Sequence, residues 1–220
     1  MSKPWFSMRA AAGPVGEVSI FSDIGGGVTS EAFHAELSRL KARGVKTLTI
    51  SINSDGGDVS VGFHIFNMLA RFPAKRIVRI EGIAASMASV IAMVGDEVVM
   101  PSNAMLMLHN PWGGITGNAN QLKSFGEALE AMQANIRNAY AKRTGIHPVE
   151  IQKMMDRETW LSASESVRLG FADRVEGELK AAALAALPDI SKFKNAPSMA
   201  RGVEALCEAA FRRFNGGRHV

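Results

Sequence analysis

The sequence predicts an α/β fold, and three observations carry that expectation. Short stretches with the two-residue alternation of a strand recur along the first half of the chain. Each runs through a glycine- or serine-containing turn into apolar residues at helical spacing, the signature of repeated β-turn-α units. The composition, 47% hydrophobic and 21% charged over 220 residues, suits one domain able to bury a full core.

The elements follow in order. Glu17–Phe21 alternates like a strand and enters the turn Ser22-Asp23-Ile24-Gly25-Gly26-Gly27. Thr29 or Ser30 caps the next helix, whose apolar face is Phe33, Leu37 and Leu40 and which stops at Gly44. Lys46–Asn53 reads as a buried strand, followed by Ser54-Asp55-Gly56-Gly57-Asp58 and a largely apolar helix carrying Val61, Ile65, Phe66, Met68 and Leu69. Arg76–Ile80 is a third strand, Glu81-Gly82-Ile83 its turn, and a helix is expected from about Ala84. Two short strands, Glu97–Met100 and Met105–Leu108, flank Pro101-Ser102-Asn103. A long helix from about Asn120 to Arg143 carries the stripe Leu122, Phe125, Leu129, Met132 and Ile136, and Pro148 opens a short helix to Met155. Ser162 caps a helix that ends at Gly170, and Phe171–Val175 is a terminal strand. From 180 to 220 the pattern loses its period and reads as a weakly attached tail.

Several function classes are disfavoured. Net charge is +4, but the basic residues are scattered, and their one concentration, Arg212, Arg213, Arg218 and His219, is terminal, so no nucleic-acid face is expected. No apolar run approaches 18 residues without charge or glycine, and Met1–Arg9 lacks a signal-peptide core, so a cytoplasmic protein with no membrane partner is expected. Cys207 is the only cysteine, which removes disulfides, thiolate clusters and paired redox chemistry; neither a metal nor a cofactor is expected.

Acyl transfer needs a nucleophile, a base, an acid that orients the base, and donors for the oxyanion. Gly82-Ile83-Ala84-Ala85-Ser86-Met87-Ala88 puts a serine among small residues where strand gives way to helix, beside unpaired N–H groups. Most serines in such segments only pack or cap, so Ser86 alone does not decide the matter. His109 ends the apolar strand Met105–Leu108, an unusual place for a core histidine; read by itself it is equally an ordinary strand-end imidazole. Ser54-Asp55-Gly56-Gly57 offers backbone N–H groups to an oxyanion, or is simply a turn between strand and helix.

Taken together, four stretches resemble the proteolytic subunit family of caseinolytic proteases, ClpP, and especially the ClpP-like head maturation proteases of tailed phages and prophages. They are Ile52–Gly57, Gly82–Ala88, Met107–Pro111, and Thr159–Ala163 with Gly170–Asp173, within a resemblance running from about Val18 to Val175. The resemblance implies the ClpP/crotonase fold of β-β-α units with a protruding long helix. On it the chain divides into an N-terminal segment 1–16, a protease domain 17–178 and a C-terminal tail 179–220. It also implies a homo-oligomer of seven-subunit rings stacked as a tetradecamer. Its roles fall on Ser86 as nucleophile, His109 as general base, and the N–H groups of Gly57 and Met87 as the oxyanion hole. The family's aspartate position is held by Glu158, with Asp156 as competitor for the triad acid. The glycine-rich turn Ser22–Thr29 and the C-terminal extension resemble the phage subgroup. The expected function is therefore a serine endopeptidase, ATP-independent or partner-assisted, that cleaves capsid or scaffold proteins in host cytoplasm or procapsid. Its substrates would enter as extended strands. The alternatives are the proteolytic subunit of a general ATP-dependent protease served by an AAA+ unfoldase, a non-catalytic ring or scaffold subunit, and a crotonase-like acyl-CoA enzyme.

Overall fold

The computed structural model describes residues 4–26, 29–177, 188 and 190–196. Its elements run β1 (Phe6–Ala10), β2 (Val15–Phe21), α1 (Ser30–Ala42), β3 (Thr47–Ser54), α2 (Val59–Ala70), β4 (Lys75–Ala85) and α3 (Met87–Ala92). They continue with β5 (Glu97–Pro101), β6 (Met105–Leu108), α4 (Ala119–Thr144), α5 (Pro148–Asp156), β7 (Thr159–Ser162), α6 (Ala163–Arg168) and β8 (Arg174–Glu176). The α/β class expected from the sequence is the class observed, with a mixed eight-stranded sheet as its spine.

The sheet path is β1-β2-β3-β4-β5-β8, parallel except for β1 at the edge. β6 branches from β4 in parallel, and β7 pairs antiparallel with β6. The fork is possible because β4 is 11 residues long. Its first half, Ile77–Arg79, pairs with β5, and its last residues, Ile83–Ala85, pair with Met105–Met107 of β6. The turn expected at Glu81–Ile83 and the helix expected from Ala84 are therefore corrected: the strand continues to Ala85 and the helix starts at Met87. The cause is tertiary. β3 pairs with this stretch through Ser54↔Ala84 while β6 occupies its other edge, and buried small residues fit a strand packed on both sides.

The helices follow the sequence more closely. Phe33, Leu37 and Leu40 of α1 are buried, as their spacing requires. Asp58 caps α2 by accepting from Val61 N at 2.8 Å, and Ser162 with Glu165 makes a capping box at α6. The long helix departs from expectation. Only Ile136 and Tyr140 of α4 are buried, and Leu122 is 49% exposed. Most of the apolar stripe thus stands clear of the core, on a helix about 39 Å long at 1.5 Å per residue.

Two regions outside the predicted elements are ordered into the body. β1 extends the sheet, with Trp5 stacked on Phe33 at a centroid separation of 5.8 Å and both rings buried. In the expected tail, Ile190, Phe193 and Ala196 are buried against Ile83, Ala85 and Met107 in a small second core beneath the end of β4. The basic terminal cluster and Cys207 lie outside the described residues. No described helix is long and apolar enough to cross a membrane.

Candidate active site

Three neighbouring parallel strands, β3, β4 and β6, deliver the candidate residues. Gly56 and Gly57 follow β3, Ser86 follows β4, and His109 follows β6. Because the strands are parallel, these carboxyl ends lie at one edge of the sheet, where open α/β folds place their ligands.

Ser86 sits on a sharp turn with φ 54° and ψ −127°. Among the described non-glycine residues only Ser22, Ser86 and Glu158 have positive φ, a conformation costing on the order of 1–3 kcal/mol and held only where the surroundings enforce it. The surroundings here are specific. Ser86 N donates to Met107 O at 3.0 Å, and Ser86 O accepts from Ser89 N at 3.0 Å and from Ser89 Oγ at 2.7 Å. The turn projects Oγ to 2.7 Å from His109 Nε2, within reach for proton transfer.

Gly56 presses against this turn, and Gly57 against Ile24. A Cβ on Gly56 would fall 2.6 Å from Ser86 Cβ, and one on Gly57 would fall 2.2 Å from Ile24 O. With φ values of 105° and 141°, both positions need glycine twice over. Ile24 N donates to Gly56 O at 2.7 Å and Asp58 N to Ile24 O at 2.9 Å, so the bridge to Ile24 uses the residues on either side and leaves the Gly57 N–H out of it. The Met87 N–H opens α3 and so has no acceptor within its helix. Close approach of α2 sets that helix end: a Cβ on Gly62 would lie 2.1 Å from Met87 Cγ.

His109 is half-buried, and burial pushes its imidazole below the usual histidine range; Glu158 pulls it back up, and Lys192 pushes it down. The ring therefore favours the neutral form that accepts a proton. The two candidate acids have different surroundings. Asp156 is exposed, accepts from Asn110 Nδ2 at 2.9 Å and Gln152 Nε2 at 2.8 Å, and is held below the usual carboxylate range by those amides. Glu158 is half-buried, and its carboxylate accepts from Trp160 Nε1 (3.3 Å), Lys194 N (3.1 Å) and Asn195 N (2.6 Å). Among the described hydrogen bonds, neither acid bonds to His109. No group of three or more His, Cys, Asp or Glu side chains among the described residues could hold a metal ion.

The sequence reading did not single out two supports. Buried Ser89 Oγ lies 2.7 Å from both Ser86 O and Met107 O, which share its one proton, and 2.8 Å from Tyr140 Oη. Its single proton goes to a carbonyl, so Tyr140 is the donor to Ser89. Ser89 was visible as the second serine of the Ser86 segment, and Tyr140 as the one tyrosine, one turn beyond Ile136. The other is the turn at residues 190–196. Its Phe193 ring stands edge-on to His109 at 5.4 Å and to Trp160 at 5.7 Å.

A family model described as Clp protease matches residues 16–178. The chain is similar to the ATP-dependent Clp protease proteolytic subunit 2 of Treponema denticola, 34% identical over 133 residues, 59% of this chain and 66% of that protein. It is 32% identical over 138 residues to the ATP-dependent Clp protease proteolytic subunit of Chlorella vulgaris, 61% and 68% of the two chains. It is 33% identical over 129 residues to the ATP-dependent Clp protease proteolytic subunit 1 of Chlamydia trachomatis, 56% and 67% of the two chains. The matched region spans about two thirds of the length of these relatives.

Proposed function

The chain belongs to the Clp protease family, and on that premise we propose that it is a serine endopeptidase that works as the proteolytic subunit of a Clp-type protease. The observation that carries this reading is the 2.7 Å contact between Ser86 Oγ and His109 Nε2 at a strained strand-to-helix turn. In the proposed reaction His109 Nε2 takes the hydroxyl proton as Ser86 Oγ attacks the scissile carbonyl. The N–H groups of Gly57 and Met87 receive the oxyanion, a contribution of about 10²–10³-fold per donor. His109 then gives its proton to the departing amine, and water resolves the acyl-enzyme by the same route reversed. Glu158 is the acid of choice over Asp156, because its charge bears on the His109 ring whereas Asp156 is committed to two amides.

Assembly into rings around a chamber, with an AAA+ unfoldase feeding it, extends this reading from the relatives to the chain. The phage capsid-maturation reading rests on the turn Ser22–Thr29 and the C-terminal extension. Neither identifies a substrate, and the relatives are named as ATP-dependent proteolytic subunits. The general protease is therefore the better supported of the two. Fluorophosphonate treatment followed by intact mass spectrometry tests the chemistry: one adduct is expected on the native chain and none on Ser86→Ala. Peptide cleavage by Ser86→Ala at the native rate would refute the assignment.

A further inference from the structure

The described part of the C-terminal segment does not hang free; it occupies the candidate site. Phe193, 8% exposed, enters the apolar pocket formed by Ile83, Ala85, Met107 and Trp160, immediately beside Ser86, with Ile190 and Ala196 buried on either side. Lys192 Nζ reaches Asp55 Oδ2 at 2.5 Å, in the loop that carries Gly56 and Gly57, and lies 5.4 Å from the Phe193 ring centroid. Lys194 N and Asn195 N donate to the two oxygens of Glu158, and Asn195 Nδ2 donates to Arg157 O at 2.8 Å. One short segment thus contacts the loop of the Gly57 oxyanion donor, the general base and the acid.

We propose that residues 190–196 are an intramolecular ligand of this site, a basic–aromatic turn that excludes substrate and draws Glu158 away from His109, and that the site selects the same chemistry, a cation followed by an aromatic ring, in the peptides it binds. Two features make the segment a restraint rather than a substrate. It is folded as a turn, with Phe193 N donating to Ile190 O at 3.1 Å, whereas a peptide to be cut lies extended beside the sheet. It also spends the Glu158 oxygens on its own N–H groups, leaving the His109 ring without its orienting partner. The selectivity follows from the pocket walls: four apolar side chains suit a large ring, and Asp55, 8% exposed and with Asp23 beside it, suits a cation. An intramolecular occupant lowers apparent affinity by the fraction of molecules in which it is displaced.

This proposal rests on the protease reading, and one experiment separates the two. The rate of fluorophosphonate labelling of Ser86 is measured for the full chain and for Lys192→Ala/Phe193→Ala, with Ser86→Ala as blank. At least tenfold faster labelling of the double variant is expected. A synthetic peptide of residues 190–196 should return it toward the native rate, and the peptide bearing Lys192→Glu or Phe193→Ser should not. Equal rates for native and double variant, slower labelling of the variant, or equal inhibition by all three peptides would overturn the proposal while leaving the protease reading intact. No Ser86-dependent labelling of either chain would overturn both.

Discussion

The two sides of the His109 ring are built differently. On the Nε2 side, Ser86 is held by paired strands and by Ser89, with Tyr140 behind it, all joined to the main core. Glu158, whose charge bears on the ring, instead lies between α5 and β7 with φ 51°, half-exposed and bonded to the C-terminal turn. The contrast teaches that Ser86 and His109 are positioned by the scaffold, whereas Glu158 is held by the C-terminal turn. A site so divided has its chemistry in place and its orientation open to control.

The sharpest way to break the scaffold side is at Gly57. In Gly57→Ala the added methyl meets Ile24 O and Ile24 N, and the backbone at φ 141° rejects a side chain as well. If the Gly57 N–H receives the oxyanion, displacing the loop removes one donor, so kcat should fall about 10²–10³-fold, with KM for a short peptide changing far less. Steady-state kinetics on a fluorogenic peptide measures both. A kcat within threefold of native would show that this loop does not serve the oxyanion.

The acid side is probed by Glu158→Gln and Asp156→Asn made separately. If Glu158 orients His109 once the C-terminal turn is displaced, its amide should cost about 10²-fold or more in kcat/KM. Asp156→Asn removes a charge already satisfied by Asn110 and Gln152 and should stay within about threefold. The reverse ranking would transfer the role of acid to Asp156.

Ser89 tests whether the scaffold side depends on its supports. Ser89→Ala leaves the Tyr140 hydroxyl without its partner in the core, a cost of roughly 1–3 kcal/mol in stability. Losing the hydroxyl that ties Ser86 O to Met107 O, which then keep only their backbone donors, should loosen the turn and lower kcat about tenfold. Ser89→Ala/Tyr140→Phe should recover part of the stability but not of the rate, because Phe removes the orphaned hydroxyl without restoring the clip on Ser86. Urea unfolding and peptide kinetics on the double-mutant cycle read the two effects apart.

The same division decides what was legible in the sequence. Helix faces such as Phe33, Leu37 and Leu40 and the cap at Ser162 are local signals, and they read correctly. Ser86, His109 and the Gly56-Gly57 pair stand where strands end, so their convergence follows once the strands are parallel neighbours. The extension of β4 through Glu81–Ala85 was not legible, because the pairing that decides it comes from β3 and β6 and not from local propensity. The stripe on α4 misled for a related reason: periodicity shows that a helix has an apolar face, not what covers it. The buried turn at 190–196 carries no period at all, and only the pocket under β4 gives Phe193 its place.

The smallest expected effect is the most discriminating for the acid side, because it has opposite signs at two residues. If His109 is the general base it must be neutral to act, and its burial already lowers its proton affinity, so the acid limb of kcat/KM should lie below the usual histidine pKa of about 6.5. Activity is full above that limb and is lost as pH falls through it. Glu158 stabilises the protonated ring, so Glu158→Gln should move the limb to lower pH. Lys192 destabilises it, so Lys192→Ala should move the limb to higher pH, and Lys192→Arg, which keeps the charge, should leave it in place. The midpoint is independent of amplitude, and loss of the C-terminal turn would itself raise it by relieving the burial of His109, so a fall in Glu158→Gln is the shift that reads charge alone. Limbs that move together in Glu158→Gln and Lys192→Ala would mean that these charges reach His109 only through a change in the fold, and the acid side would then be as rigidly built as the serine side.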